Sequence, residues 1–182
     1  IKSGFEADQP TKAFDAAALD ALRALGVKLV PVELPDAQWS AMSIILRAEA
    51  AAAFDELTRS GADQQMAQQG PNAWPNTFRV ARFIPAVDYV NANRARTLAM
   101  QAMAAALKSV DVVVTPTFGT QLVATNLTGH PAVIVPNGFR DDGTPVSLTF
   151  LANLYGEAPM LALAHAYQQH TGFHLKHPAW LA

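Results

Sequence analysis

The chain has 182 residues, 51% of them apolar and 15% charged, with 13 Lys and Arg against 15 Asp and Glu for a net charge of −2. That balance excludes a disordered or highly charged tail, and the scattered cations give no basic stripe of the kind nucleic-acid binding needs. No apolar run approaches 18 residues, so no spanning helix is expected, and the absence of Cys rules out disulfides, thiolate catalysis and zinc-ribbon sites. A domain of this size can bury roughly 70% of its unfolded surface. No repeat, linker or composition shift divides the sequence, so a single structural unit over residues 1–182 is expected. Localisation is open: the first residue is Ile rather than Met, and a cysteine-free chain suits oxidising and reducing compartments alike.

In chain order, Thr11 to Leu25 places Phe14, Ala17, Ala18, Ala21, Leu22 and Leu25 on one helical stripe, with Gly26 where a helix ends. Lys28 to Val32 follows as an expected strand. Asp36 to Thr58 is Ala-rich and helical in pattern, and Ser60 to Asn76, polar with Pro71 and Pro75, reads as a surface connection. Asp88 to Lys108 is a long helix.

The second half is a set of short strands with hard stops. Asp111 to Thr115 is β-branched and ends at Pro116, and Ala132 to Val135 is bracketed by Pro131 and Pro136; both runs suit strands buried on two faces. Asp141-Asp142-Gly143 supplies turn chemistry, and Val146 to Leu151 forms a third strand with Val146, Leu148 and Phe150 on one face. Pro159 fits the first turn of a following helix. Its Met160, Leu163, Ala164 and Tyr167 share one face, and Gly172 ends it.

The order of these segments, from Asp111-Val-Val-Val-Thr115-Pro116-Thr117 through Thr128-Gly129-His130-Pro131 and Asp141-Asp142-Gly143 to Ala164-His165-Ala166-Tyr167, resembles the C-terminal part of amidase signature enzymes. The likeness reaches back more loosely through Asn93-Arg94-Ala95-Arg96 and the helix-strand unit, where family members carry a strand leading into a turn like Ile1-Lys2-Ser3-Gly4. It implies an α/β fold with a mixed central sheet flanked by helices. It also implies hydrolysis of a carboxamide C–N bond outside peptides to acid and ammonia or amine, with no cofactor. In that chemistry a Ser attacks the carbonyl, a second Ser on a cis peptide relays the proton, and a neutral Lys is the base. The Gly/Ser-rich signature that carries those groups is missing. The six serines, Ser3, Ser40, Ser43, Ser60, Ser109 and Ser147, and the five lysines, Lys2, Lys12, Lys28, Lys108 and Lys176, all stand in other contexts. No catalytic residue is assigned, and the chain alone is expected to be inactive.

What the resemblance implies for this portion is sheet core and one wall of the substrate pocket. Thr117, Phe118, Gln121 and Asn126, after the strand end at Thr115-Pro116, are the pocket-lining candidates, followed by Thr128, Gly129 and His130; the bland alternative is ordinary strand-end and loop residues. Phe118 to Leu127 is short where most members are longer, and His130, Ser147-Leu148-Thr149 and Ala152 depart from the usual pattern, which fits a divergent subgroup.

Other clusters carry less. His170 and His174 have an i, i+4 metal-ligand spacing, but Gly172 breaks that helix and no acidic residue follows Glu157, so no metal is assigned. Asp141 and Asp142 are a turn rather than an acid/base dyad. Arg94 and Arg96 could grip a carboxylate, but on a helix flanked by Ala they suit solvation or pairing with nearby acids, and Trp39, Trp74 and Trp180 are too dispersed to form a stacking platform.

Two readings compete. In the first, the chain is the C-terminal portion of an amidase whose catalytic half lies elsewhere. In the second, it is a non-catalytic α/β module for ligand binding or assembly. Either way, exposed sheet edges call for a partner, which is the missing N-terminal half or a second copy, and a small amide is the expected substrate; neither nucleic acid nor membrane is implied.

Overall fold

A computed structural model of the chain describes residues 1–178, so Trp180 lies outside the described residues. Among the described residues the elements run α1 (Lys2–Glu6), α2 (Lys12–Ala24), α3 (Ile44–Ala53), α4 (Asp55–Arg59), α5 (Trp74–Ala81), α6 (Ala86–Leu107), β1 (Val112–Pro116), α7 (Thr120–Thr128), β2 (Ala132–Phe139), β3 (Pro145–Ala152) and α8 (Glu157–Thr171). They fall into two compact units, Ile1–Asp36 together with the chain from Gln101 onward, and Ala37–Met100.

The first unit is built on an antiparallel sheet in the order β1-β3-β2. β3 is its centre because its neighbours reach it from both sides. β2 reaches it through a tight hairpin, in which the Arg140 N–H donates to the Thr144 carbonyl and the Gly143 N–H to that of Arg140, each at 2.9 Å. Gly143 has φ +81°, which a side chain would resist, and the Thr144 N–H donates to the Asp142 carboxylate at 2.8 Å, holding that carboxyl below its usual range. Val135 stands opposite Leu148, and a bulge between Pro136 and Phe139 lets β2 continue through a residue with no N–H.

Alternation along the strands sends side chains to two different cores. On one face Val135, Leu148, Phe150 and Ala152 pack against Ala18 and Leu22 of α2 and Met160, Ala164 and Tyr167 of α8. The Phe150 and Tyr167 rings lie 5.7 Å apart, and the Tyr167 hydroxyl, buried with its ring, donates to Asn137 Oδ1 at 2.5 Å. Burial, with Asp15 nearby, pushes the Tyr167 phenol up to about 12. Asn137 in turn donates to the Phe14 carbonyl at 3.3 Å, tying β2 to α2. On the opposite face Val113 and Leu151 pack with Ile1, Met103 and Leu107.

The strands expected after Asp111 are all present as β1, β2 and β3, and the helices expected over 11–25, 88–108 and after Pro159 are α2, α6 and α8. Five expectations need correction, the last of them in the second unit. Lys28 to Val32 has no regular secondary structure, because it has no neighbouring strand to pair with. Phe118 to Leu127 is not a bare connection, since Gly119 and Gly129 bracket α7. The run 36–58 is broken into a 3-10 turn, Ala41–Ser43, and two helices. β2 is not buried on both faces: Ile134 is 55% exposed, because α2 and α8 cover the Val135 face and leave the face of Ala132 and Ile134 open.

In the second unit Phe78 of α5 is the hub, stacked on Phe54 at 5.0 Å and Trp74 at 5.6 Å. The stretch expected to be a surface connection, 60–76, holds a buried residue: Asp63 is 1% exposed and pairs with Arg79 at 2.5 Å. An ion pair with one end buried is costly to break, because the charge left behind has no water to solvate it. No helix among the described residues is long and apolar enough to cross a membrane.

Tyr167→Phe leaves the Asn137 carbonyl oxygen without its donor while the ring packing stays. The expected loss is about 1–2 kcal/mol in urea unfolding with an unchanged m-value, and a loss near zero would show that the tie between α8 and β2 contributes nothing.

Candidate functional site

The end of β1 is where the polar residues of the sheet collect. Residues two apart along a strand share a face, so Thr115 and Thr117 on β1 and its extension, and Ser147 and Thr149 on β3, bring four hydroxyls to the face opposite Leu148 and Phe150. The Thr149 hydroxyl donates to Thr117 Oγ1 at 3.3 Å, and Thr117 donates on to Ser147 Oγ at 3.0 Å. Ser147 at the end of that chain keeps its own proton to give. Thr115 Oγ1 is buried with no partner.

Thr117, Phe118 and Ser147 open onto a cleft of about 200 Å3 whose other walls include Gln9, Thr11 and Arg140. Phe118 is 81% exposed. Among the donors of its lining, the Gln9 amide donates to the Gly4 carbonyl and to Asp15, the Thr11 hydroxyl to Asp15 and the Thr117 hydroxyl to Ser147, which leaves the Ser147 hydroxyl and the Arg140 guanidinium to face a ligand; the lining has no Lys, His, Asp or Glu. Such a wall can hold and orient a carbonyl or amide group. It cannot take a proton from a nucleophile.

Gln121 plays a different part. It is 5% exposed, and its amide nitrogen donates to the carbonyls of Pro116 at 2.7 Å and Thr117 at 3.2 Å, so it clamps the exit of β1 onto the start of α7. A Cβ on Gly119 would lie 2.4 Å from its Oε1, so the clamp and the glycine require each other. Asn126 is exposed on α7. Thr128, Gly129 and His130 stand at the far end of that helix, about 12 Å along its axis from Thr120, and are not among the cleft residues. Gly129, at φ +78°, closes the helix.

His130 is 7% exposed, and Thr128 sets its state. The Thr128 hydroxyl donates to the Ala124 carbonyl at 2.8 Å and lies 2.7 Å from His130 Nδ1. A hydroxyl has one proton, so with that proton on Ala124 the Nδ1 must carry the hydrogen, leaving Nε2 as an acceptor. Desolvation lowers the His130 pKa and keeps the ring neutral. The structure therefore separates the sequence candidates into a pair at the cleft, a clamp behind it, and a cluster at the other end of α7. Sequence reading misses Ser147, Thr149 and Thr11. The signal for the first two lies in the matching Thr115-x-Thr117 and Ser147-x-Thr149 spacings, once the two strands are known to pair.

Comparison with known proteins gives one consistent answer. No family model matches the chain, but it is 30% identical over 213 aligned residues to a glutamyl-tRNA(Gln) amidotransferase subunit of Azoarcus sp. (strain BH72), covering 94% of this chain and 44% of that subunit. Among solved structures, the peptide amidase of Stenotrophomonas maltophilia superposes with a TM-score of 0.72 at 22% identity, covering 93% of this chain and 41% of that one. A bacterial aryl acylamidase described as an amidase signature enzyme gives a TM-score of 0.72 at 17% identity, over 95% and 42%. The fold and its relatives thus place the chain in the class of amidase-type α/β proteins. Its relatives in sequence are amidotransferase A subunits and its neighbours in fold are amidase signature enzymes, and it spans less than half the length of each of these relatives.

The Gln121 clamp and the His130 environment can each be tested. Gly119→Ala should displace Gln121 and free the Pro116 and Thr117 carbonyls, costing about 1–3 kcal/mol in urea unfolding, with Gln121→Ala costing a similar amount; full stability in both would mean that the clamp is idle. The His130 shift has a definite sign. Its folded pKa lies below the unfolded value of 6.5, so above that pH the ring is neutral in both states and the shift has no effect. As pH falls below 6.5 the unfolded chain takes up the proton first, and stability drops. His130→Gln should flatten that part of the stability-pH curve, and an unchanged slope would assign the titration to another group.

Proposed function

We propose that this chain is the C-terminal portion of an amidase that cleaves non-peptide carboxamide C–N bonds to an acid and ammonia or an amine. It supplies sheet core and a pocket wall, and the nucleophile, relay and base lie on the portion it lacks. The observation that carries this reading is the hydroxyl-lined cleft without a base, on a chain that spans less than half of its amidase relatives. Ser147, held by Thr117, orients the bound amide through its hydroxyl, and Phe118 covers the apolar part of the substrate. Gln121 positions Thr117 without touching substrate. Asn126, Thr128, Gly129 and His130 form a second section of wall at the far end of α7. The two compact units are parts of one larger amidase domain, and the missing N-terminal half is the partner.

A second reading, a non-catalytic binding or assembly module, is favoured by one feature, the open β1 and β2 edges. Intact-mass analysis of the purified protein separates the two, because only the first requires a companion polypeptide with a Gly/Ser-rich, Lys-bearing segment.

On the first reading the chain alone does not hydrolyse simple amides. Turnover by the isolated chain that survives both Ser147→Ala and Ser109→Ala would overturn the assignment of chemistry to the missing portion. In the whole enzyme, Phe118→Ala should raise KM roughly tenfold with little change in kcat, the pattern expected when ground-state and transition-state binding are lost together. A fall in kcat at constant KM would put Phe118 at the reacting centre instead.

A further inference from the structure

Asn137 is the only one of the seven asparagines followed by glycine, and the pair stands inside β2 because two separate demands meet there. Asn137 is 1% exposed, and its amide supplies both halves of the tie between α2, β2 and α8: Oδ1 accepts from the Tyr167 hydroxyl at 2.5 Å and Nδ2 donates to the Phe14 carbonyl at 3.3 Å. Neither a carboxylate nor an apolar side chain of that size can do both. Gly138 follows in the bulge, which leaves these two residues of β2 facing Val146, and its φ of +116° suits glycine. A Cβ there would lie 3.1 Å from the Phe14 ring and 3.8 Å from that of Phe173. The fold therefore requires the amide and the glycine side by side.

That juxtaposition is chemically labile, because a glycine nitrogen has no side chain beside it to keep the preceding side-chain amide away. The Gly138 nitrogen bonds to Asn137 Cγ, the Cγ–Nδ2 bond breaks, and Nδ2 leaves as ammonia with the proton that the Gly138 nitrogen gives up, closing a cyclic imide. Water then opens the ring at either carbonyl, to aspartate or to isoaspartate. Ring closure requires Cγ to swing onto the Gly138 nitrogen, and in the folded protein both polar atoms on Cγ are held elsewhere, by α8 and by α2. The swing waits for a local opening in which α8 parts from β2. The product then has no place in the fold. A carboxylate at position 137 turns an acceptor toward the Phe14 carbonyl where water is excluded, with Asp15 close enough to bear on the Tyr167 phenol. Isoaspartate also lengthens the backbone of β2 and shifts it against β3.

We infer that Asn137-Gly138 is a self-modification site, locked while α8 lies on β2 and released when it lifts, whose deamidated product cannot return to the native sheet. A cavity of about 250 Å3 lined by Phe14, Asn137, Tyr167 and Phe173 lies at this junction and gives water a place beside the imide once α8 lifts. Asp142-Gly143 has the same spacing in an exposed turn but a different fate. Its carboxyl, which accepts from the Thr144 N–H and is held below its usual range, stays ionised and so has no leaving group to lose. The inference uses nothing of the amidase reading and can fail or stand apart from it.

The test holds the whole protein in buffer and in urea at the same mildly alkaline pH and follows by mass the peptide 109–140, which trypsin releases at Lys108 and Arg140. Conversion at Asn137 should run at least about tenfold faster in urea than in buffer, while Asn126 on the same peptide stays intact in both. Equal rates at Asn137 in the two conditions, or a rate in urea no greater than that at Asn126, overturn the inference. In buffer, Tyr167→Phe removes one of the two restraints and should speed conversion roughly fivefold or more, and an unchanged rate counts against the lock. Asn137→Asp carries the charge of the product from the start. It should fail to fold or unfold at a clearly lower urea midpoint, and a wild-type midpoint overturns the exclusion of the product from the fold.

Discussion

Everything in the first unit is referred to β3. It pairs with β1 from Val112–Ala152 to Pro116–Leu148 and with β2 from Ala132–Leu151 to Phe139–Pro145, so a slip of one residue on either side would send Leu148 and Phe150 to the hydroxyl face and Ser147 and Thr149 into the core. Leu148 and Phe150 are completely buried, and exchanging them with two hydroxyl residues would both lose apolar burial and strand polar groups without partners. The register is therefore enforced by the chemistry of the two faces. α2 and α8 cover the apolar face because both carry an apolar stripe that packs on it, and the Tyr167–Asn137–Phe14 hydrogen-bond chain fixes them to β2.

That enforcement explains what can be read from the sequence. The three strands are legible because Pro116, Pro131 and Pro136 bound short β-branched runs and Asp141-Asp142-Gly143 marks the hairpin, all local signals. α8 is legible from its stripe and its terminal Gly172. α7 is not, since its nine residues are too few to show a clear period and Gln121, Thr125 and Thr128 are polar residues facing inward, where each hydroxyl or amide is satisfied by a carbonyl one turn back or at the end of β1. Asp63 is equally invisible, because its burial depends on Arg79, sixteen residues on. Lys28 to Val32 misleads for the opposite reason: its local pattern is that of a strand, and what it lacks is a neighbour.

The candidate site shows the same division. Thr117 and Phe118 can be placed at a strand end from sequence, yet their alignment with Ser147 and Thr149 exists only through the β1–β3 pairing. Conversely, the candidates at the end of α7 group with Thr117 by nearness in sequence, and the helix carries them away from the cleft. A helix rises 1.5 Å per residue while a loop of the same length can double back, so a helix of nine residues is enough to disperse the expected cluster.

The wall and the sheet are in this sense one object. Thr117 is held where it is by three things: the β1–β3 register, the hydroxyl chain to Ser147, and the Gln121 clamp on the carbonyls of Pro116 and Thr117. A two-sided strand is more rigid than an edge strand, because each residue is tied by a ladder that cannot fray on both sides at once. β1 has its ladder on one side, against β3, so the Gln121 clamp at its exit does for Thr117 the holding that a second ladder would do.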